Sequence, residues 1–167
     1  MLTEIKGIKV GQWSDNKAAT GCTVILFPEN TIASGEIRGG APATRDFSLL
    51  DPSRLVDEVN AVVLSGGSAF GLAACEGVME YLESEGIGFQ TGYGRVPIVV
   101  GLSLFDLGVG SAKVRPSSGE GKEAAKNASD TTDLGRVGAG TGATVSKWRG
   151  KEFAQTGGLG GEVLREG

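Results

Sequence analysis

The 167-residue sequence contains no histidine. Without an imidazole, the chain by itself holds no Ser-His-Asp triad, no Cys-His dyad, no histidine-ligated zinc and no histidine general base. It also has only two cysteines, Cys22 and Cys75, which are too few for a zinc site and lie in apolar stretches. We predict that both are buried thiols of a protein from a reducing compartment.

Long basic runs and long apolar runs are missing as well. No run of lysine or arginine exceeds two residues and the formal net charge is −4, which excludes the basic footprint of a nucleic-acid-binding protein. Residues 1–13 alternate polar and apolar side chains, so they form neither a signal peptide nor a membrane span. We expect a cytoplasmic protein with no nucleic-acid or membrane partner, no cofactor and no metal.

Glycine is in excess, with 29 residues, beside an apolar share of 40%. Such a glycine content predicts many turns, while the apolar share is enough to bury a core. The length suits one domain of ordinary size. We therefore predict that residues 1–167 form a single domain.

Local patterns in the first 45 residues predict strands and a loop. Two β-rich runs, Gly21–Phe27 and Thr31–Ile37, flank a turn at Pro28–Asn30 and predict a hairpin. Ile5–Val10 predicts another strand. Arg38–Arg45 contains two glycines and a proline, which break either periodicity, so we predict a loop there.

Further along, the patterns predict alternating helices and strands. Asp51 followed by proline predicts a brief helix over Asp51–Val59. The apolar run Ala61–Leu64 predicts a buried strand, which turns sharply into an amphipathic helix from Ser68 to Gly86. Val96–Phe105 predicts a strand that leads into a loop or short helix, and Ser118–Asn127 predicts a short exposed helix.

The segment Gly138–Ala143 fits the loose dinucleotide-binding pattern G-x-G-x-x-G/A, and Glu162 follows at the distance of a ribose-binding acid. The context is wrong for that function. No convincing strand precedes Gly138, and the residues that follow are β-like instead of helical. We interpret the segment as a structural glycine-rich loop.

The turn after the predicted strand, Ser65–Gly71, has the position of a nucleophile elbow. Its spacing fails the G-x-S-x-G pattern, and no histidine can activate Ser68. Two interpretations stay open: Ser68 caps the helix, or the amides of Gly66, Gly67 and Ser68 donate to a substrate carboxylate or an oxyanion. We nominate Ser65, Gly66, Gly67 and Ser68 as substrate-binding residues and no catalytic residue.

Charged residues crowd the loop that precedes Phe47. Their spacing favours an exposed ion-pair network of Glu36, Arg38, Arg45 and Asp46. The alternative is a clamp in which Arg38 and Arg45 bind one end of a substrate. Asp106 and Tyr93 have no partner visible in the sequence, and we interpret both as structural.

Several motifs occur in the same order as in one known family. They are Gly21–Val24, Gly35–Arg45, Leu64–Leu72, Gly77–Met79, Val96–Val99, Phe105–Gly108, Val137–Ala143 and Gly157–Gly160. As an ordered set spanning nearly the whole chain, they resemble the S58 peptidase family, which includes the DmpA-like L-aminopeptidase/D-esterases, the β-peptidyl aminopeptidases and, as relatives, nylon-oligomer hydrolases.

The resemblance implies an α/β (α+β) fold, an αββα sandwich related to that of the ornithine acetyltransferases and incomplete in this chain. It also implies a precursor that cleaves itself into an α chain and a β chain, whose new N-terminal Ser or Thr attacks the substrate. Such a nucleophile uses its own α-amine as general base and needs no imidazole, which fits the lack of histidine. The implied substrates are short peptides, amides or esters.

The sequence departs from the family in two respects. The motifs end at Gly160, so the implied cleavage site and nucleophile have no counterpart, and we expect the N-terminal part of an α chain that is inactive alone. Its expected partners are the missing β-chain segment and further copies of itself, and its bare sheet face should make the isolated chain associate. The resemblance to the DmpA-like branch also implies an oxyanion-hole tyrosine just before an aspartate, whereas this chain has Phe105 before Asp106. A phenyl ring cannot donate a hydrogen bond, so either the alignment or that role fails here.

Two other functions remain open on the sequence alone. A noncatalytic subunit could share the fold and either hold a small ligand in the turn Gly66–Phe70 or serve in assembly. An acetyltransferase of the related fold would, like the hydrolase, need a threonine nucleophile from elsewhere.

Overall fold

A computed structural model describes residues 1–165 of the chain. Within them, the strands are β1 (Lys9–Asp15), β2 (Thr20–Leu26), β3 (Ala43–Arg45), β4 (Ala61–Ser65), β5 (Phe89–Thr91), β6 (Gly94–Val96), β7 (Val99–Ser103), β8 (Thr144–Val145) and β9 (Gln155–Thr156). The α-helices are α1 (Ala74–Ser84) and α2 (Ser118–Lys126). Neither helix is long and apolar enough to cross a membrane.

Five strands form the central sheet in the spatial order β1-β2-β4-β7-β3. β4 and β7 are parallel, and the other neighbours are antiparallel. Side chains alternate between the two faces along each strand. In β4, Ala61, Val63 and Ser65 are fully buried, whereas Val62 and Leu64 on the opposite face are only partly buried. The sheet therefore has two unequal faces.

Both helices cover the more deeply buried face. Cys22, Val24 and Val63 of the sheet pack there with small and apolar side chains of the helices. The helix residues in this cluster are Ala74, Cys75, Val78, Leu82, Ala124 and Ala125. Cys22 and Cys75 are free and fully buried, which confirms that both are buried thiols. This burial raises the pKa of Cys22 to about 12 and that of Cys75 to about 11.

Three glycines let the backbones in this layer approach each other closely. A Cβ atom on Gly77 of α1 would lie 1.7 Å from the carbonyl oxygen of Ser118, and one on Gly121 of α2 would lie 2.0 Å from that of Ala74. At Gly11 of β1 the corresponding distance to the Ala124 oxygen is 1.8 Å. No side chain fits at these positions unless a helix moves.

The opposite face of the sheet is covered only in part. At one end, Val59, Ile98 and Val100 form a second cluster with the chain around Phe47 and Leu50. At the other end, Thr23, Ile25 and Leu64 line a cavity of about 150 Å³ beneath the N-terminus. The single helix layer on one sheet face agrees with the predicted α/β fold.

The structure corrects the prediction for the first half of the chain. β2 pairs with β1 and β4, so both of its edges are occupied and the predicted hairpin with Thr31–Ile37 is wrong. That run contributes one isolated bridge, between Ile32 and Glu58. The loop Arg38–Arg45 ends in a strand, because Ala43–Arg45 pairs with β7.

The helix predicted over Asp51–Val59 is also wrong. The Asp51 carboxylate accepts hydrogen bonds from both the amide and the hydroxyl of Ser53, which makes a local turn. The chain then extends, and the Val59 amide donates to the Thr31 carbonyl 2.9 Å away. A 3-10 turn lies just before this segment, at Phe47–Leu50.

The second half follows the predictions more closely. β4, α1, β7 and α2 all occur where the sequence predicts them, and the chain past α1 turns at Gly86 with a φ of 72°. Before α1, residues Ser68–Ala73 form a 3-10 turn instead of α-helix. Contrary to its prediction as an exposed helix, α2 buries Gly121, Ala124 and Ala125.

We predict that Gly121→Ala destabilises the chain by about 1–3 kcal/mol, since the new methyl group would overlap the Ala74 carbonyl. Gly119→Ala is the matched control in the same helix, because a methyl group there would lie 3.7 Å from its nearest neighbour, the Ser117 hydroxyl oxygen. That control should stay within about 1 kcal/mol of the parent or gain stability. Urea denaturation measures both, and equal midpoints would contradict the close packing.

Candidate functional site

The candidate site lies where the parallel strands β4 and β7 end. Ser65 and Ser103 are register partners at these carboxyl ends, a place where open α/β sheets commonly bind ligands. Directly after Ser65 the chain makes a tight turn in which Gly67 and Ser68 have positive φ angles of 82° and 56°. The turn places its backbone amides beside carbonyl groups of β2 and of the chain that follows β7.

All three amides of this turn are already hydrogen bonded. The Gly66 amide donates to the Gly21 carbonyl at 2.8 Å, and the Ser68 amide donates to the Leu104 carbonyl at 3.0 Å. The Gly67 amide donates to Oδ1 of Asp106 at 2.7 Å. The hypothesis that these amides are free donors for a substrate or an oxyanion is therefore wrong in this structure.

Ser68 does not cap the following helix either. The 3-10 turn begins after Gly67, and no side chain makes a capping hydrogen bond there. The Ser68 carbonyl instead accepts a hydrogen bond from the hydroxyl of Ser103 at 2.5 Å. Ser103 Oγ also lies within 3.3 Å of the Ser65 and Gly66 carbonyls, so its hydroxyl holds the turn against β7.

Asp106 is the buried carboxylate of the site, with an exposed fraction of 4%. Besides the Gly67 amide, it accepts a hydrogen bond from Oγ1 of Thr20 at 2.8 Å. No lysine or arginine within residues 1–165 forms an ion pair with it. The carboxylate thus joins the start of β2, the turn after β4 and the loop after β7 through neutral donors, and our interpretation of Asp106 as structural fits these contacts.

The glycine-rich segment around Gly138 is a structural loop, as the sequence predicted. The Gly138 amide donates to the hydroxyl of Ser14 at 2.7 Å, and the Ala139 amide donates to that of Thr23 at 3.1 Å. Because these two amides donate to side chains of the β1–β2 hairpin, they are not available to bind a phosphate. The second glycine cluster packs against the first, with the Leu159 amide donating to the Gly135 carbonyl at 2.7 Å.

A cavity of about 310 Å³ opens on the less covered sheet face at this end. Four leucines and two serine residues line it, with small residues of the two glycine clusters opposite. They are Leu64, Ser65, Leu102, Ser103, Leu104, Ala139, Gly140, Ala143, Gly158, Leu159 and Gly160. The cavity is mainly apolar with a few polar groups, as small-molecule sites usually are.

The two nominated arginines lie apart in separate ion pairs. Arg38 pairs with Glu36 at 2.7 Å, and both side chains are largely exposed. Arg45 pairs with Glu76 of α1 at 2.9 Å and lies 3.7 Å from Asp46. The Arg38–Glu36 pair is separate from the two pairs that Arg45 forms, so the four charged residues of this loop do not make one network. Arg38 also lines a separate shallow cavity of about 180 Å³ that shares Ser103 and Leu102 with the main one.

Phe105 and Tyr93 are both on the surface. Phe105 is 66% exposed beside the site, so a phenyl ring stands where the resemblance implied a hydroxyl donor. Tyr93 is fully exposed at the turn between β5 and β6, away from the residues of the cavity. It makes no side-chain hydrogen bond among the described residues.

Sequence reasoning missed the roles of Thr20, Thr23 and Ser103. Their partners lie between 35 and 116 residues away along the chain, so no local pattern reveals them. One signal was present for Thr20 and Thr23: polar side chains within the apolar run of β2 must find hydrogen-bond partners once buried.

Asp106→Ala should lower the free energy of unfolding by about 1–3 kcal/mol or more, because it leaves the buried Gly67 amide and Thr20 hydroxyl without an acceptor. Asp106→Asn should cost less, since its amide oxygen still accepts one bond and Thr20 can accept the other. The control is Asp130→Ala, at an exposed carboxylate. Chemical denaturation of the three variants checks this, and equal losses for Asp106→Ala and Asp130→Ala would contradict it.

Known structures share this arrangement of sheet and helices. A protein from Pyrococcus horikoshii OT3 superposes with a TM-score of 0.63 at 27% identity, over 84% of this chain and 44% of that one. The L-aminopeptidase D-Ala-esterase/amidase from Ochrobactrum anthropi, described as a variant of the Ntn hydrolase fold, has a TM-score of 0.65 at 17% identity, over 84% and 43%. The latter shows likeness of fold alone.

Curated sequences give the same relationship. An uncharacterized aminopeptidase of Mycobacterium leprae is 42% identical over 165 residues, covering 89% of this chain and 46% of the relative. A 6-aminohexanoate-oligomer endohydrolase of Kocuria sp. is 30% identical over 145 residues, covering 86% and 38%. The chain thus spans about half the length, or less, of these relatives. The family model described as Peptidase family S58 matches residues 1–151, and the chain belongs to this family.

Proposed function

We propose that this chain is the α-chain portion of a self-processing hydrolase that releases N-terminal residues from short peptides, amides or esters. The observation that carries the proposal is the cavity at the ends of β4 and β7, in a chain of the S58 family. The chain supplies the substrate pocket and its framework. A segment outside these 167 residues supplies the N-terminal Ser or Thr.

The hydroxyls of the site support a nucleophile from elsewhere. Ser65 Oγ is buried and donates to the Gly66 carbonyl at 2.9 Å, and Ser103 Oγ donates to carbonyls of the same turn. A carbonyl cannot take the proton of an attacking hydroxyl, so neither serine has a base. Thr20 does contact a carboxylate, Asp106, but it is 2% exposed and no substrate reaches it. With no histidine in the chain, an N-terminal amine is the base that fits.

The cavity favours a small substrate with an apolar side chain. Leu64, Leu102, Leu104 and Leu159 supply apolar surface, and Ser65 and Ser103 bring polar groups to its edge. We propose that the turn Ser65, Gly66, Gly67 and Ser68 supports this wall of the pocket: Ser65 lines the cavity, and the internal hydrogen bonds of the turn fix its position. Arg38 stands at the adjoining shallow cavity, where its guanidinium binds a carboxylate of a longer substrate once its exposed pair with Glu36 opens.

Arg45 contributes in a different way. Its guanidinium is engaged by Glu76 at 2.9 Å, so it binds a substrate carboxylate only if that pair opens. We propose that Arg45 positions β3 against α1, beside the pocket. The two buried, unpaired thiols of Cys22 and Cys75 support a location in a reducing compartment such as the cytoplasm.

The purified 167-residue chain should not hydrolyse aminoacyl-p-nitroanilides above background. Co-expressed with the C-terminal half of the 42% identical Mycobacterium leprae relative, it should form a complex and release nitroaniline. The control complex carries the same half with its candidate N-terminal Ser or Thr changed to alanine.

Turnover by the chain alone would contradict the assignment of the nucleophile to another segment. A complex that forms without any turnover would instead favour the second function, a noncatalytic subunit for ligand binding or assembly. Thermal-shift titration with dipeptides and their amides then separates these two roles, because only ligand binding raises the melting temperature.

A further inference from the structure

The tip of the β8–β9 hairpin is an exposed surface that the proposed hydrolase function does not use. We call residues 145–153 the aromatic tip. Its chain runs through two short 3-10 turns, Lys147–Arg149 and Lys151–Phe153. Trp148 is 85% exposed, and Val145 and Phe153 are about half exposed, at 52% and 47%. Large apolar side chains concentrated in this way mark interaction surfaces.

The aromatic tip carries three cations, one of which lies over its aromatic rings. The Arg149 guanidinium lies over both aromatic rings, 5.5 Å from the ring centre of Trp148 and 5.2 Å from that of Phe153. Both distances lie within the range of cation–π contacts, so Arg149 connects the two rings into one cluster. Lys147 and Lys151 add two more cations, and within residues 1–165 none of the three forms an ion pair. Glu152 is the tip's one carboxylate.

A surface of opposite character lies where α1 ends. We call Glu83, Glu85, Ile87, Phe89 and Val96 the acidic corner. All five side chains are exposed. Phe89 and Val96 are cross-strand partners on one face of the β5–β6 ribbon, so they and Ile87 form an apolar patch beside the two glutamates.

Within residues 1–165, the two glutamates of the acidic corner lack ion-pair partners, and the one cation of the neighbouring β5–β6 ribbon, Arg95, donates to the Gly88 carbonyl at 3.0 Å. Earlier in the same helix, Glu76 and Glu80 pair with Arg45 and Lys122 at 2.9 and 3.0 Å. Glu83 and Glu85 form no ion pair within the described residues. Two carboxylates beside an apolar patch therefore match, in charge and in hydrophobic character, the cations and aromatic rings of the aromatic tip.

We propose that the aromatic tip of one copy of this chain docks on the acidic corner of a second copy. Trp148 and Phe153 cover Ile87, Phe89 and Val96, while lysines of the tip approach the two glutamates. Aromatic and arginine side chains typically carry the energy of such interfaces, and charge complementarity sets their orientation. The chain's net charge of −4 repels polyanions, which disfavours a nucleic acid or an anionic membrane as the occupant.

Light scattering coupled to size exclusion tests this, on the 167-residue chain at about 50 mM and about 500 mM salt. The parent should self-associate at low salt and dissociate at high salt. The tip variant Lys147→Glu/Lys151→Glu and the corner variant Glu83→Lys/Glu85→Lys should each weaken self-association about tenfold or more. An equimolar mixture of the two variants should associate again, because the charges are complementary once more.

The control is Lys6→Glu/Lys9→Glu, which makes the same charge change at exposed residues of the N-terminus and β1 and should associate like the parent. Three results would overturn the proposal: a monomeric parent, failure of the mixture to associate, or loss of association in the control. Association that strengthens with salt and persists in the triple variant Trp148→Ala/Phe153→Ala/Lys147→Glu would also overturn it, by assigning the contact to the bare sheet face. None of these outcomes depends on hydrolase activity.

Discussion

The close approach of α2 to both α1 and β1 is the constraint on which the rest of the structure depends. At Gly11, Gly77 and Gly121, main-chain atoms occupy the space that a side chain would need. The helix backbones therefore lie close to the sheet. The side chains between the helices and the sheet are mostly small: alanine, valine and cysteine. Because this face is filled, any pocket for a ligand has to form on the other face or at the ends of the strands.

The site at the ends of β4 and β7 is held by a buried carboxylate and not by a helix terminus. Asp106 accepts from Thr20 and from the Gly67 amide, and Ser103 holds the carbonyl side of the same turn. These bonds fix Gly67 and Ser68 in left-handed conformations, which a serine adopts only when its surroundings impose them. The turn is thus held firmly beside the cavity, which Ser65 lines, and most of its hydrogen-bonding groups maintain its own conformation.

The sequence predicts elements well where the signal is local and poorly where the partner is distant. β4 and α1 follow from an apolar run, a glycine turn and helical periodicity within one short stretch of chain. The hairpin of β2 with Thr31–Ile37 is wrong because β4 competes successfully for that edge. The free amides at Gly66, Gly67 and Ser68 are wrong for a similar reason, since their acceptors lie at β2 and in the loop after β7. The ordered motifs identified the family although few of them revealed what their residues contact.

The two thiols beneath the helix layer become accessible only when the helices separate from the sheet, so their reactivity reports that separation. Cys22 comes from the sheet and Cys75 from α1, and their pKa values of about 12 and about 11 leave almost no thiolate at neutral pH. A thiol reagent therefore modifies them only in molecules whose helices have separated from the sheet. The rate at which the reagent modifies the two thiols therefore reports how readily the helix layer opens, without any engineered cysteine.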